Sequence, residues 1–182
     1  LVEGARRIGK SYIVEEFAKN EYESYILIDF NKAPQMVRDW FDLYLEDLDT
    51  LFLYLSQHYK VRLHERKSLI ILDEIQECKE ARTALKSFHI DGRFDVIATG
   101  SLLGVKGYGK SRKKNEEEGQ DSVPVGYETV IDMYPLDFEE FLWANGIGEM
   151  VIDSVKSCFE NEKAVPDGIH KAMMELLYRY VI

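Results

Sequence analysis

The sequence has little cysteine, little proline and no long apolar run, and each shortage removes a class of protein. Its two cysteines, Cys78 and Cys158, lie far apart, and neither belongs to a CxxC or Cys/His cluster. A disulfide framework and a structural zinc site are therefore disfavoured, and a reducing, cytoplasmic setting is expected. The four histidines, His58, His64, His89 and His170, are scattered along the chain and read as surface or satisfied helix residues. No apolar stretch approaches the ~20 residues of a membrane span, and none carries the pattern of a signal peptide. Only 4 Pro and 12 Gly argue against a disordered chain. Basic residues are the minority, 23 against 33 acidic for a formal net charge of -10. This balance argues against diffuse binding to nucleic acid or anionic lipid and leaves room for a local basic patch.

What is present describes a globular protein. Hydrophobic residues at 46% and charged residues at 31% of 182 suit one domain, or one domain with a small appendage. Leu1-Val2-Glu3 looks like the tail of an apolar strand, and Leu176, Leu177, Tyr180 and Val181 lie within a helical pattern. The chain accordingly reads as a piece cut from a longer protein.

Short apolar runs alternate with helical periodicity. Leu1-Val2 leads into a glycine-bounded loop, and Lys10 to Lys19 reads as a helix with Ile13, Val14 and Phe17 on one face. Strands are expected at Ser24–Phe30, Ser68–Leu72, Phe94–Ala98 and Tyr127–Met133. Val37, Trp40, Phe41, Tyr44, Leu48, Leu51, Phe52 and Leu55 recur at helical spacing after Pro34 and read as core packing. A helix over Lys79–Phe88 turns Ala81, Ala84, Leu85 and Phe88 inward, and three helices are expected at Asp137–Trp143, Glu149–Phe159 and Gly168–Val181. The alternation predicts an α/β fold, a central parallel sheet covered by helices on both faces, followed by an all-helical tail.

Gly4-Ala5-Arg6-Arg7-Ile8-Gly9-Lys10-Ser11 matches GxxxxGK[ST] at every fixed position. The two glycines permit a backbone path that residues with a Cβ resist, and the loop's N–H groups turn inward as an anion nest. The positive end of the following helix points at the same place. The candidate cofactor-binding residues are thus Gly4, Ala5, Arg6, Arg7, Ile8, Gly9, Lys10, Ser11 and Tyr12. Lys10 is expected to reach the β- and γ-phosphates of a nucleotide, and the Ser11 hydroxyl to ligate Mg²⁺. Arg6 and Arg7 read equally as phosphate contacts or as a solvated pair.

Leu69-Ile70-Ile71-Leu72 ends in Asp73-Glu74. An apolar strand beside the loop would deliver Asp73 to the metal, which takes hard oxygen ligands. Glu74 would then face the γ-phosphate and orient or deprotonate the attacking water. Thr99-Gly100-Ser101 closes the next strand, and the Thr99 hydroxyl, or secondly that of Ser101, is placed to sense the terminal phosphate. Asn31-Lys32 suggests the guanine-reading NKxD of GTPases, but Pro34 stands where the Asp would be. A small-molecule kinase has no need of the water activator that the acid pair supplies.

EGARRIGKS, LIILDEIQ, ATGSLLGVKGYGK and MYPLDFEEFLWANG, in this order, make the chain similar to the prokaryotic AAA-type ATPases of the additional-strand P-loop class. The resemblance implies a five-stranded parallel sheet with the phosphate-loop strand in the middle, then a small helical lid. It divides the chain into a core over 1–146, its first strand truncated, and the start of a lid over 147–182. It places Gly4, Gly9, Lys10 and Ser11 on Walker A, Asp73 and Glu74 on Walker B, and Thr99 with Ser101 on the sensor-1 strand end. It implies ATP and Mg²⁺, and full-length relatives that continue into a region resembling a restriction-endonuclease fold. Where many relatives have Gly-Arg, this chain reads Pro124-Val125-Gly126-Tyr127, so no arginine finger is assigned. Lys106, Lys110, Arg112, Lys113 and Lys114, followed by Glu116, Glu117 and Glu118, read as a DNA contact, a donor of Arg112 to a neighbouring subunit, or a self-neutralising loop.

Two functions follow. One is a Mg²⁺-dependent ATPase module whose nucleotide state switches an attached effector domain. The other is an ATP-binding switch or scaffold with little hydrolysis, acting on DNA or a protein partner through the region after Ile182. A homo-oligomer is compatible with both.

Overall fold

A computed structural model of the chain describes residues 1–101 and 128–182. The chain divides after Tyr134 into two units. In the first, β1 (Val2–Gly4) leads through the glycine-bounded loop into α1 (Lys10–Glu21). There follow β2 (Ser24–Asp29), α2 (Gln35–Leu43), α3 (Leu48–Tyr59) and β3 (Ser68–Asp73). A short 3₁₀ turn (Ile75–Glu77), α4 (Lys79–Asp91), β4 (Asp95–Ser101) and β5 (Ile131–Met133) complete it.

The strands form one parallel sheet in the order β2-β3-β4-β1-β5, giving the three-layer α/β/α arrangement of a P-loop NTPase. One expectation is corrected. β4, not β1, takes the middle of the sheet, and β1 sits between β4 and the edge strand β5. The acidic strand β3 is therefore not the neighbour of β1, because β4 lies between them. Thr99, Gly100 and Ser101 belong to β4 itself, in register with Val2, Glu3 and Gly4.

β3 is a continuous apolar run because both of its faces are covered. Ile70 and Leu72 pack with α2, α3 and α4 through Val37, Phe41, Leu51, Leu55, Ala81, Ala84 and Phe88. Leu69 and Ile71 pack on the opposite face against Val14 and Ala18 of α1. α1 buries Lys10, Val14 and Ala18, a strict i, i+4 stripe. Ile13 and Phe17, expected on that face, lie beside it at 53% and 46% exposure, with the Phe17 ring edge-on to Tyr22.

The long apolar stripe after Pro34 folds as two helices instead of one. Tyr44 ends α2, and Asp47 caps α3 by accepting the Thr50 N–H at 3.2 Å. In the second unit, α5 (Phe138–Ala144) opens with a reciprocal capping box between Asp137 and Glu140. α6 (Glu149–Glu160) and α7 (Asp167–Val181) follow, and the Tyr180 hydroxyl of α7 donates to the Leu136 carbonyl at 2.8 Å. No helix among the described residues is long and apolar enough to cross a membrane.

Two outcomes test this core. Phe41 is fully buried with its ring 5.6 Å from that of Phe30 and 6.3 Å from that of Phe88. Phe41→Ala is expected to lose about 3–5 kcal/mol in urea unfolding, whereas exposed Phe159→Ala changes stability by no more than about 0.5 kcal/mol. Burial pushes the Cys78 thiol up to about 11. Brief iodoacetamide treatment near ~pH 8 should therefore label half-buried Cys158 before Cys78, read by peptide mass spectrometry.

Candidate active site

The carboxyl ends of β1, β3 and β4 gather at one edge of the sheet, where ligands of open parallel sheets bind. The loop between β1 and α1 crosses that edge. Gly4 lies tight against β5: a Cβ there would lie 2.3 Å from the Met133 carbonyl oxygen and 2.6 Å from Ile8 Cδ1. Gly9 holds a left-handed φ of 94°, and Arg7 another of 64°. Left-handed residues in a tight turn aim successive N–H groups to one side, the concavity that holds an anion.

Lys10 begins α1 and is only 4% exposed. Its ammonium donates to the carbonyl oxygens of Gly4 at 3.2 Å and Ala5 at 2.7 Å. A buried ammonium requires such partners, and they hold the cation inside the loop. The Ser11 hydroxyl, one residue on, donates to Asp73 Oδ1 at 2.7 Å, joining the loop to the end of β3. The same carboxylate oxygen accepts from the Thr99 hydroxyl of β4. The Thr99 oxygen in turn accepts the Glu74 backbone N–H at 3.2 Å. Thr99 thus fills the gap that β4 opens between loop and acid strand, and ties both acids together.

Glu74 has a left-handed φ of 53°, rare for a residue with a side chain, as the chain breaks from β3 into the 3₁₀ turn. Its Oε2 accepts from the Gln76 side-chain amide. Ser101 is buried and in register with Gly4.

The structure therefore brings Gly4, Lys10, Ser11, Asp73, Glu74, Thr99 and Ser101 to one edge. Ala5, Arg6, Arg7, Gly9 and Tyr12 of the loop are exposed, and Ile8 is half-buried. Lys32 and Asn31, which briefly suggested a guanine reader, close a turn on Asp29: the Lys32 ammonium donates to it at 2.7 Å and the Asn31 N–H at 2.9 Å. The basic stretch from Lys106 to Lys114, Glu116 to Glu118, and Pro124 to Tyr127 lie outside the described residues. Sequence reasoning missed Gln76, whose sole signal was its place in Asp-Glu-Ile-Gln. It also missed Arg38, whose guanidinium donates to the carbonyls of Phe30 and Glu77 from α2 with no local signature.

The donor set suits a magnesium ion. Ser11 Oγ and Asp73 Oδ1 are hard oxygens 2.7 Å apart, close to the ~2.9 Å between neighbouring ligands of an octahedral ion with bonds near 2.1 Å.

A family model described as an AAA domain matches residues 1–142, a span that holds every residue of this edge. No curated protein and no solved structure gives a match.

The steric role of Gly4 is open to measurement. Gly4→Ala is expected to lower stability by about 1–3 kcal/mol in thermal unfolding, because a backbone oxygen must move. Gly168→Ala, where nothing lies within 4 Å of the added carbon, should show no loss.

Proposed function

Because this chain belongs to the AAA domain family of nucleotide-binding, ATPase-like modules, we propose that it binds ATP with Mg²⁺ at the loop from Gly4 to Tyr12 and hydrolyses it with Glu74 as general base. The hydrogen bond from Ser11 to Asp73 carries this reading, since it joins the phosphate loop to the acid strand across an intervening strand.

In this reading, the loop N–H groups cradle the phosphates and the Lys10 ammonium turns from the Gly4 and Ala5 carbonyls to the β- and γ-phosphate oxygens. Ser11 and Asp73 would hold the magnesium ion, which when bound offsets the negative charge of the phosphates. Glu74 accepts a proton from water as its oxygen bonds to the γ-phosphorus and the bond to the ADP oxygen breaks. Thr99 acts as a positioning residue, since its hydroxyl engages Asp73 and the Glu74 N–H. Ser101, in register with Gly4, then offers a further hydroxyl at the start of the loop for contact with phosphate. β5 runs from Met133, against Gly4, directly into the second unit. That continuity supports a nucleotide-dependent switch of whatever effector the chain carries.

Titration with a fluorescent ATP analogue and magnesium tests binding, and single-turnover hydrolysis tests the base. Lys10→Ala should abolish binding, and unchanged affinity would overturn the site. Glu74→Gln should keep binding and slow hydrolysis by roughly 10²–10⁴-fold. Binding with no turnover in the wild type, with or without DNA, would replace the hydrolase by a passive ATP-dependent switch.

A further inference from the structure

A general base works only if its free oxygen is held within hydrogen-bond reach of the water it deprotonates. Glu74 is a residue with unusual freedom to lose. It is half-buried, follows the last residue of β3, and holds a left-handed backbone that its side chain disfavours. Two contacts define its position. Thr99 Oγ1 accepts its backbone N–H at 3.2 Å, and the Gln76 side-chain amide donates to its Oε2. The first fixes where the residue starts, and the second fixes where its carboxylate ends.

The platform presenting Gln76 is itself anchored at both sides. Ile75 is fully buried in the core formed with α2, α3 and α4. The Glu77 N–H donates to the Glu74 carbonyl at 3.0 Å and the Cys78 N–H to the Ile75 carbonyl at 3.1 Å, closing the 3₁₀ turn. Arg38 of α2 reaches over with its guanidinium, donating to the Glu77 carbonyl and to the Phe30 carbonyl at the end of β2. Gln76 therefore stands between a buried anchor and a clamped carbonyl, on a turn with little room to rotate. An amide N–H to an ionised carboxylate is a charge-assisted bond, stronger than a neutral one. It occupies Oε2 and leaves Oε1 to accept a proton.

We propose that Gln76 is a positioning residue that aims the Glu74 carboxylate, acting on hydrolysis through Glu74 alone and not through nucleotide binding. This rests on the reading of Glu74 as the base, and it adds a residue which the phosphate-loop and acid-strand motifs do not name. The alternatives are a Gln that merely stabilises the turn, or one that contacts nucleotide directly. Each makes a different pattern.

The first measurement needs no nucleotide. In the ¹⁵N-labelled chain, the Gln76 side-chain amide signals, assigned by their loss in Gln76→Leu, should move to new positions in Glu74→Gln. Amide signals unmoved by the Glu74 substitution would overturn the proposal.

The second is a double-mutant cycle with magnesium and ATP. Gln76→Leu and Gln76→Glu should each lower kcat by roughly 10- to 100-fold with KM for ATP and the unfolding midpoint nearly unchanged. In the Glu74→Gln background, Gln76→Leu should have no further effect. A full additive loss in that background, or a loss that appears in KM, would overturn it in favour of a separate role. If Lys10→Ala binds ATP as well as the wild type while the amide signals still follow Glu74, the nucleotide site fails and the contact between the two side chains stands. If Lys10→Ala loses binding and the cycle is additive, the site stands and the role of Gln76 fails.

Discussion

One carboxylate oxygen organises this edge of the molecule. Asp73 is 6% exposed, and its Oδ1 receives the hydroxyls of Ser11 and Thr99. A carboxylate held this far from water is tolerated only when hydrogen-bond donors surround it. The donors come from α1 and β4, so the acid is satisfied only when helix, loop and both strands are already in place. Loss of the Thr99 hydroxyl would break two contacts, because it also receives the Glu74 N–H.

The rest of the fold serves to hold that oxygen still. β3 delivers Asp73 from a strand whose Leu69, Ile70, Ile71 and Leu72 are all fully buried. Their side chains alternate between two packed faces, so a slip of register would move every one of them to the wrong layer. The α2–α3–α4 layer is stiffened by aromatic contacts among Phe30, Phe41, Phe52, Phe88 and Phe94. On the other face α1 is short of apolar bulk. It buries Val14 and Ala18 and, at its first turn, the Lys10 side chain.

Three of the eight described residues with left-handed backbone lie where the chemistry is placed. Arg7 and Gly9 bend the loop, and Glu74 bends the chain away from β3. Such conformations persist only where the surroundings over-determine them. Here the surroundings are the close approach of Gly4 to Met133, the Thr99 bridge and the clamped turn after Glu74.

The order of elements, the α/β class, the loop from Gly4 to Ser11 and the acid pair were legible in the sequence, because each depends on residues adjacent along the chain. A glycine spacing, a buried-strand run and two acids at its end are local patterns, and α4 with its inward Ala81, Ala84, Leu85 and Phe88 is another. What the chain order did not determine is which strands become neighbours. Pairing is set by how the faces of many elements are buried together, and that placed β4 between β1 and β3 and made the Thr99 hydroxyl a bridge between the acids. Gln76 and Arg38 acquired their partners for the same reason. A side chain two residues away across a turn, and a guanidinium arriving from another helix, meet Glu74 and its turn only once the packing of distant segments has brought them there.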